Sequence, residues 1–127
     1  MQLVYYSGKT GRTHKFAEKL NASLLRIPEQ GPCAEVHSPY VLLTPTYADV
    51  SGRHAVPKQV VDFLRGQKTH ANLLGVIASG DRSFGNTYAL AGRLIANKFR
   101  IPLLHAFELS GMPSDIAIVQ SKIGAFN

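Results

Sequence analysis

This chain has almost no sulfur chemistry: one cysteine, Cys33, stands among 127 residues, with two methionines and no tryptophan. A lone thiol has no internal partner, so a disulfide framework, a cysteine-rich zinc site and a CxxC redox pair are all excluded. A chain that does without disulfides is expected in the reducing cytoplasm. Charge is sparse too, at 17% of residues, while apolar residues make up 45%. Disorder needs the opposite balance, so a folded core is expected. No apolar run approaches the ~20 residues that span a bilayer. The best candidate, from Tyr40 to Ala48, is short and broken by Pro45. The apolar start from Met1 to Tyr6 runs straight into Gly8, Lys9 and Thr10 without a charged segment before it, so no secretion signal is expected.

Acidic residues are the minority charge. Fourteen Lys and Arg against eight Asp and Glu leave a formal charge of +6. The cations are scattered, with no basic run of the kind that binds nucleic acid as a tail. A distributed basic face that meets an acidic protein is the expectation that survives. The five histidines share no ligand spacing on one element, so no metal site is expected. Cys33 reads as a plain thiol, since no second cysteine can resolve it.

What is present is an alternation of short apolar runs with helical periodicity, without repeats or linkers, over a single domain of residues 1–127. Strands are expected at Gln2–Tyr6, Leu24–Ile27, Tyr40–Thr44, Leu73–Ser79 and Ile101–Leu109. Helices are expected at Thr13–Ala22, from Pro57 through Leu64, at Tyr88–Lys98, and from Pro113 through Ile123. In the third helix Leu90/Leu94 and Ala91/Ile95 form i,i+4 pairs. One helix is missing between the second and third strands, where residues 29–38 read as loop. Alternating strands and helices imply parallel pairing with right-handed crossovers and helices on both faces. The expected fold is an α/β three-layer sandwich with a five-stranded parallel sheet in the order 2-1-3-4-5. Ligands of such sheets bind outside the carboxyl ends of the strands, at the switch point between strands one and three.

That order brings three loops together. The first, Ser7-Gly8-Lys9-Thr10-Gly11-Arg12-Thr13, has three hydroxyls, two glycines that tolerate positive φ, and a following helix whose free N–H groups point back into it. Together these make a phosphate cradle, which explains the loop better than a plain turn with one capping hydroxyl. Other phosphate motifs fail. A P-loop needs glycine where Leu3 stands, a dinucleotide fingerprint needs more than Gly8-x-x-Gly11, and Pro39 stands where a Cys33-based phosphatase loop needs arginine. The second loop, Thr44 to Arg53, carries Tyr47. The third, Gly80 to Asn86, carries Phe84 between small polar residues. Two aromatics flanking one phosphate cradle point to a planar ring with a phosphate tail, the shape of flavin mononucleotide.

At these residues the chain resembles a known family. Tyr5-Tyr6-Ser7-x-Lys9-Thr10-Gly11-x-Thr13-His14-x-Phe16, Thr44-Pro45-Thr46-Tyr47, Val56-Pro57-Lys58-Gln59-Val60, and Ser79-Gly80-x-Arg82-x-Phe84-Gly85 with Tyr88 and Leu90-Ala91-Gly92 are similar to the NrdI-type flavodoxins. The resemblance covers nearly the whole chain and implies a flavodoxin-like fold with bound FMN. By the same resemblance Ser7, Thr10, Gly11, Arg12 and Thr13 hold the phosphate, Gly8 is among the cofactor-binding residues, and Tyr47 and Phe84 flank the ring. Gly52 or the backbone near Ala48 faces the flavin N5, and Arg82 lies near its N1/O2 side. Thr46, Gly80, Asp81, Gly85 and Tyr88 complete the set. No side chain is expected to act as acid, base or nucleophile, since a flavin carries its own chemistry. The implied role is beside class Ib ribonucleotide reductase: the reduced flavin meets dioxygen, and the oxidant, superoxide, passes to the dimanganese centre of the radical-generating subunit. A flavin reductant is implied as a further partner. A general electron-shuttling flavodoxin and a non-redox phosphate-binding module are the alternative readings.

Overall fold

The computed structural model describes residues 2–31, 34–47, 55–81, 88–108 and 110–126. Its strands are β1 (Gln2–Tyr5), β2 (Ser23–Arg26), β3 (Tyr40–Pro45), β4 (Leu73–Gly80) and β5 (Leu103–Glu108). Its helices are α1 (Arg12–Glu18), α2 (Lys58–Gly66), α3 (Leu90–Phe99) and α4 (Pro113–Gly124). All strand pairs are parallel, and the sheet order is β2-β1-β3-β4-β5. The expected topology is therefore the observed one, including the passage from β2 to β3 without a helix among the described residues.

Central strands of a parallel sheet lie between two helix layers, so both of their faces must be apolar. β3 is buried from Tyr40 to Thr44 and β1 from Leu3 to Tyr5. Successive side chains point to opposite faces, and this divides the core in two. Leu3, Tyr5, Val41, Leu43 and Ile77 join Phe16 of α1, Leu20 just past its end, and Val119 and Ile123 of α4. Val4, Leu42 and Val76 join Val60, Phe63 and Leu64 of α2 and Ile95 of α3. The first layer is pinned by Phe16 and Phe107, whose rings stack 3.9 Å apart at 12°. α4 is seated by Asp115. Its carboxylate accepts from the Met112 amide (2.8 Å) and meets His105 Nε2 on β5 at 2.7 Å.

Two expectations from periodicity are corrected. The first helix does not reach Ala22; it ends at Glu18, because Lys19 and Leu20 tighten onto the carbonyls of Phe16 and Ala17. That tight last turn lets the chain reverse into β2. In α3, Ala91 and Ile95 are buried as a pair should be, but Leu94 is 43% exposed. The sheet takes only one stripe of that helix, and Leu94 lies beside it. No helix among the described residues is long and apolar enough to cross a membrane.

Candidate cofactor site

The carboxyl ends of β1, β3 and β4 open into a crevice of about 240 Å³. Gly8, Thr10, Arg12 and Thr13 line it from the first loop, Thr46 and Tyr47 from the second, and Gly80 and Asp81 from the third. Eight expected site residues thus share one cavity. Ala48, Gly52, Arg82, Phe84 and Gly85 lie outside the described residues, as does Cys33.

The first loop is built to face an anion. Gly11 takes φ +70°, the left-handed turn that glycine adopts without strain, and its amide closes onto the Gly8 carbonyl at 3.1 Å. Ser7 is fully buried beneath the loop, and its Oγ accepts from the His14 amide at 3.1 Å. Ser7 thereby satisfies one of the amides at the start of α1. Among the described residues the amides of Lys9, Thr10, Arg12 and Thr13 have no protein acceptor. Four main-chain donors, the hydroxyls of Thr10 and Thr13, and the cations Lys9 and Arg12 form a donor set that fits a phosphate.

Behind this loop, the Tyr5 hydroxyl is hydrogen-bonded to His14 Nδ1 at 2.6 Å, and His14 Nε2 meets Glu18 at 3.1 Å. Burial raises the Tyr5 pKa above the usual phenol value, opposed by Arg26 and reinforced by Glu18. Arg26 also donates to the Ser7 carbonyl at 3.4 Å. These contacts tie β1, β2 and α1 together under the cradle.

The other two loops supply walls. The Tyr47 ring is partly exposed, and its hydroxyl donates to the Tyr6 hydroxyl at 3.3 Å. A Cβ at Gly8 would stand 3.3 Å from that same hydroxyl, so the tyrosine lies close over the first loop. Burial pushes the Tyr47 phenol well up, and the Tyr6 hydrogen bond adds to the shift. Thr46 Oγ1 accepts from the Ala91 amide at 3.2 Å and so caps α3. Gly80 is sterically required: a Cβ there would sit 2.7 Å from the Ala89 nitrogen and 3.3 Å from the Tyr88 ring. Tyr88 therefore stands against the crevice wall without lining the cavity.

Sequence reasoning left three lining residues out of the set: Lys9, Pro45 and Ser79. Pro45 and Ser79 pair across the ends of β3 and β4, so the strand-end rule that placed the site could have found them.

Comparison with known proteins decides the family. A model of the NrdI flavodoxin-like family matches residues 4–121. The chain belongs to this family. Protein NrdI of Ruegeria sp. is 49% identical over 124 residues, covering 98% of this chain and 89% of that protein. Protein NrdI of Streptococcus pyogenes serotype M4 is 45% identical over 123 residues, covering 94% and 84%. Oxidised flavodoxin 2 from Bacillus cereus superposes with a TM-score of 0.67 at 17% identity, covering 98% of this chain and 96% of that one. A short-chain flavodoxin associated with a non-canonical PDU bacterial microcompartment gives 0.66 at 18%, covering 94% and 90%. These two likenesses are of fold. Family membership and fold together imply a flavin cofactor.

Proposed function

We propose that this chain binds FMN in the crevice and serves class Ib ribonucleotide reductase by delivering superoxide to the dimanganese centre of its radical-generating subunit. One observation carries the cofactor assignment: Lys9, Thr10, Arg12 and Thr13, whose amides have no acceptor among the described residues, line one cavity with Tyr47. The reductase role rests on membership of the NrdI family.

The chain's own residues have four tasks in this reading. The amides of the first loop, with Thr10 and Thr13, hold the phosphate. Tyr47, tied to Tyr6, covers one face of the ring. Gly80 lets β4 and α3 close together at the crevice wall, and Phe84 is assigned to the opposite ring face. The net charge of +6 favours docking onto an acidic surface, which steers encounter and weakens as salt rises. When bound and reduced, the flavin supplies the electron that converts dioxygen to superoxide.

The test begins with the visible spectrum of the purified protein and the flavin released on heating. The reduced protein is then mixed with oxygen and the manganese-loaded radical subunit. FMN in the supernatant and radical formation blocked by superoxide dismutase are expected. A colourless protein that refuses added FMN would refute the cofactor assignment. An FMN protein that reduces general acceptors but never activates the subunit would move the reading to an electron-shuttling flavodoxin.

A further inference from the structure

We propose that the groove between α2 and α3 is a docking site for an acidic peptide segment carrying a large apolar side chain. The groove holds about 230 Å³ and, among the described residues, shares no lining residue with the flavin crevice. Its floor is Leu64 and Ile95, both buried, and its walls include Val61 and the exposed Leu94. An apolar side chain from a partner would cover Leu94 and complete the packing that the sheet leaves unfinished on this side of α3.

Charge selects the partner. Arg65, Lys98 and His70 rim the groove, and no carboxylate lines it among the described residues. His70 is held in place by its Nε2 on the Leu64 carbonyl (2.8 Å) and by its ring, 4.5 Å from that of Phe99. Residues 56–72 and 89–101, which contain the two helices, carry Lys58, Arg65, Lys68, Arg93, Lys98 and Arg100 against one acid, Asp62. That acid lies on the far side of α2, 4.0 Å from Lys58, where it lines a separate cavity with Glu29. A second copy of this chain is a poor occupant, because a symmetric contact would set this cationic rim against itself. An acidic segment with a leucine or phenylalanine anchor satisfies both the apolar floor and the cationic rim.

The experiment uses the full chain with its flavin as purified. A fluorescein-labelled peptide with a Phe-Leu pair between runs of glutamate is titrated by fluorescence anisotropy. Two control peptides replace the Phe-Leu pair by Gly-Ser or the glutamates by lysine. Saturable, salt-sensitive binding of the first peptide alone is expected. Leu94→Glu and Lys98→Glu, both at exposed positions, should each weaken it by at least about tenfold. Equal binding of the Gly-Ser control would show mere polyanion attraction and overturn the proposal. So would unchanged affinity in Leu94→Glu. A concentration-dependent dimer in sedimentation that Leu94→Glu abolishes would assign the groove to a second copy instead.

Discussion

Tyr40 offers a sharp test of the packing. It opens β3, is 1% exposed, and meets Phe63 edge-to-face at 5.9 Å. Its hydroxyl is buried without a hydrogen-bond partner among the described residues. Burying a hydroxyl without a partner costs about 1–3 kcal/mol, whereas the ring contributes whether or not the oxygen is there. Tyr40→Phe keeps the ring and removes that cost, so the variant should be more stable by about 1 kcal/mol or more near neutral pH. For a chain of this length that is roughly 3–5 °C in Tm. The same burial pushes the Tyr40 pKa from 10.0 up to about 12. Below about pH 10 the phenol is neutral in both states, and the native stability is fully present. Between about pH 10 and 12 the unfolded chain releases this proton while the folded one retains it, so native stability falls by about 1.4 kcal/mol per pH unit. The variant lacks this loss. Urea unfolding followed by circular dichroism should therefore show the gap between variant and native widening by roughly 1.4 kcal/mol from about pH 8 to about pH 11. A variant less stable than the native chain at about pH 8 would mean that the oxygen is satisfied. A gap that stays constant to about pH 11 would refute the burial argument.

Other consequences are equally direct. Gly80→Ala places a Cβ 2.7 Å from backbone that cannot swing aside, so a loss of about 1–3 kcal/mol in chemical denaturation and weaker flavin retention on gel filtration are expected. Phe107→Ala removes a fully buried ring stacked on Phe16 and should cost about 3–5 kcal/mol, read by thermal melting. Ser7→Ala strands the His14 amide, which should cost about 1–2 kcal/mol and raise the Kd for FMN measured by fluorescence quenching. Surface plasmon resonance with the reductase radical subunit should show affinity falling steadily as salt rises from about 0.05 to 0.5 M; indifference to salt would refute the electrostatic account of docking.

Much of the fold is legible in the chain because its signals are local. Runs such as Tyr40–Thr44 and Leu73–Ser79 read as strands buried on both faces and are so. Pro57 and Pro113 mark the starts of α2 and α4. The loop after β1, proposed to hold the phosphate, is legible for the same reason, since its glycines and hydroxyls lie within seven consecutive residues. The length of α1 was not legible. Phe16, Ala17 and Leu20 keep helical spacing through a last turn that has already tightened, so periodicity runs past the true end. Leu94 misled in a similar way: an i,i+4 partner shows that two residues share a face, not that the face is covered.

The amino-acid order alone determined the number and kind of elements, the parallel sheet order and the end of the sheet where the crevice opens, because each follows from periodicity and the handedness of crossovers. Only the tertiary structure decided which partner each site residue keeps. Ser7 caps α1 from beneath the loop, Thr46 caps α3 from across the sheet, and Tyr47 reaches back to Tyr6. Each of these is a single hydrogen bond whose partner is chosen by three-dimensional proximity. No spacing along a chain encodes a contact between residues 41 or 45 positions apart.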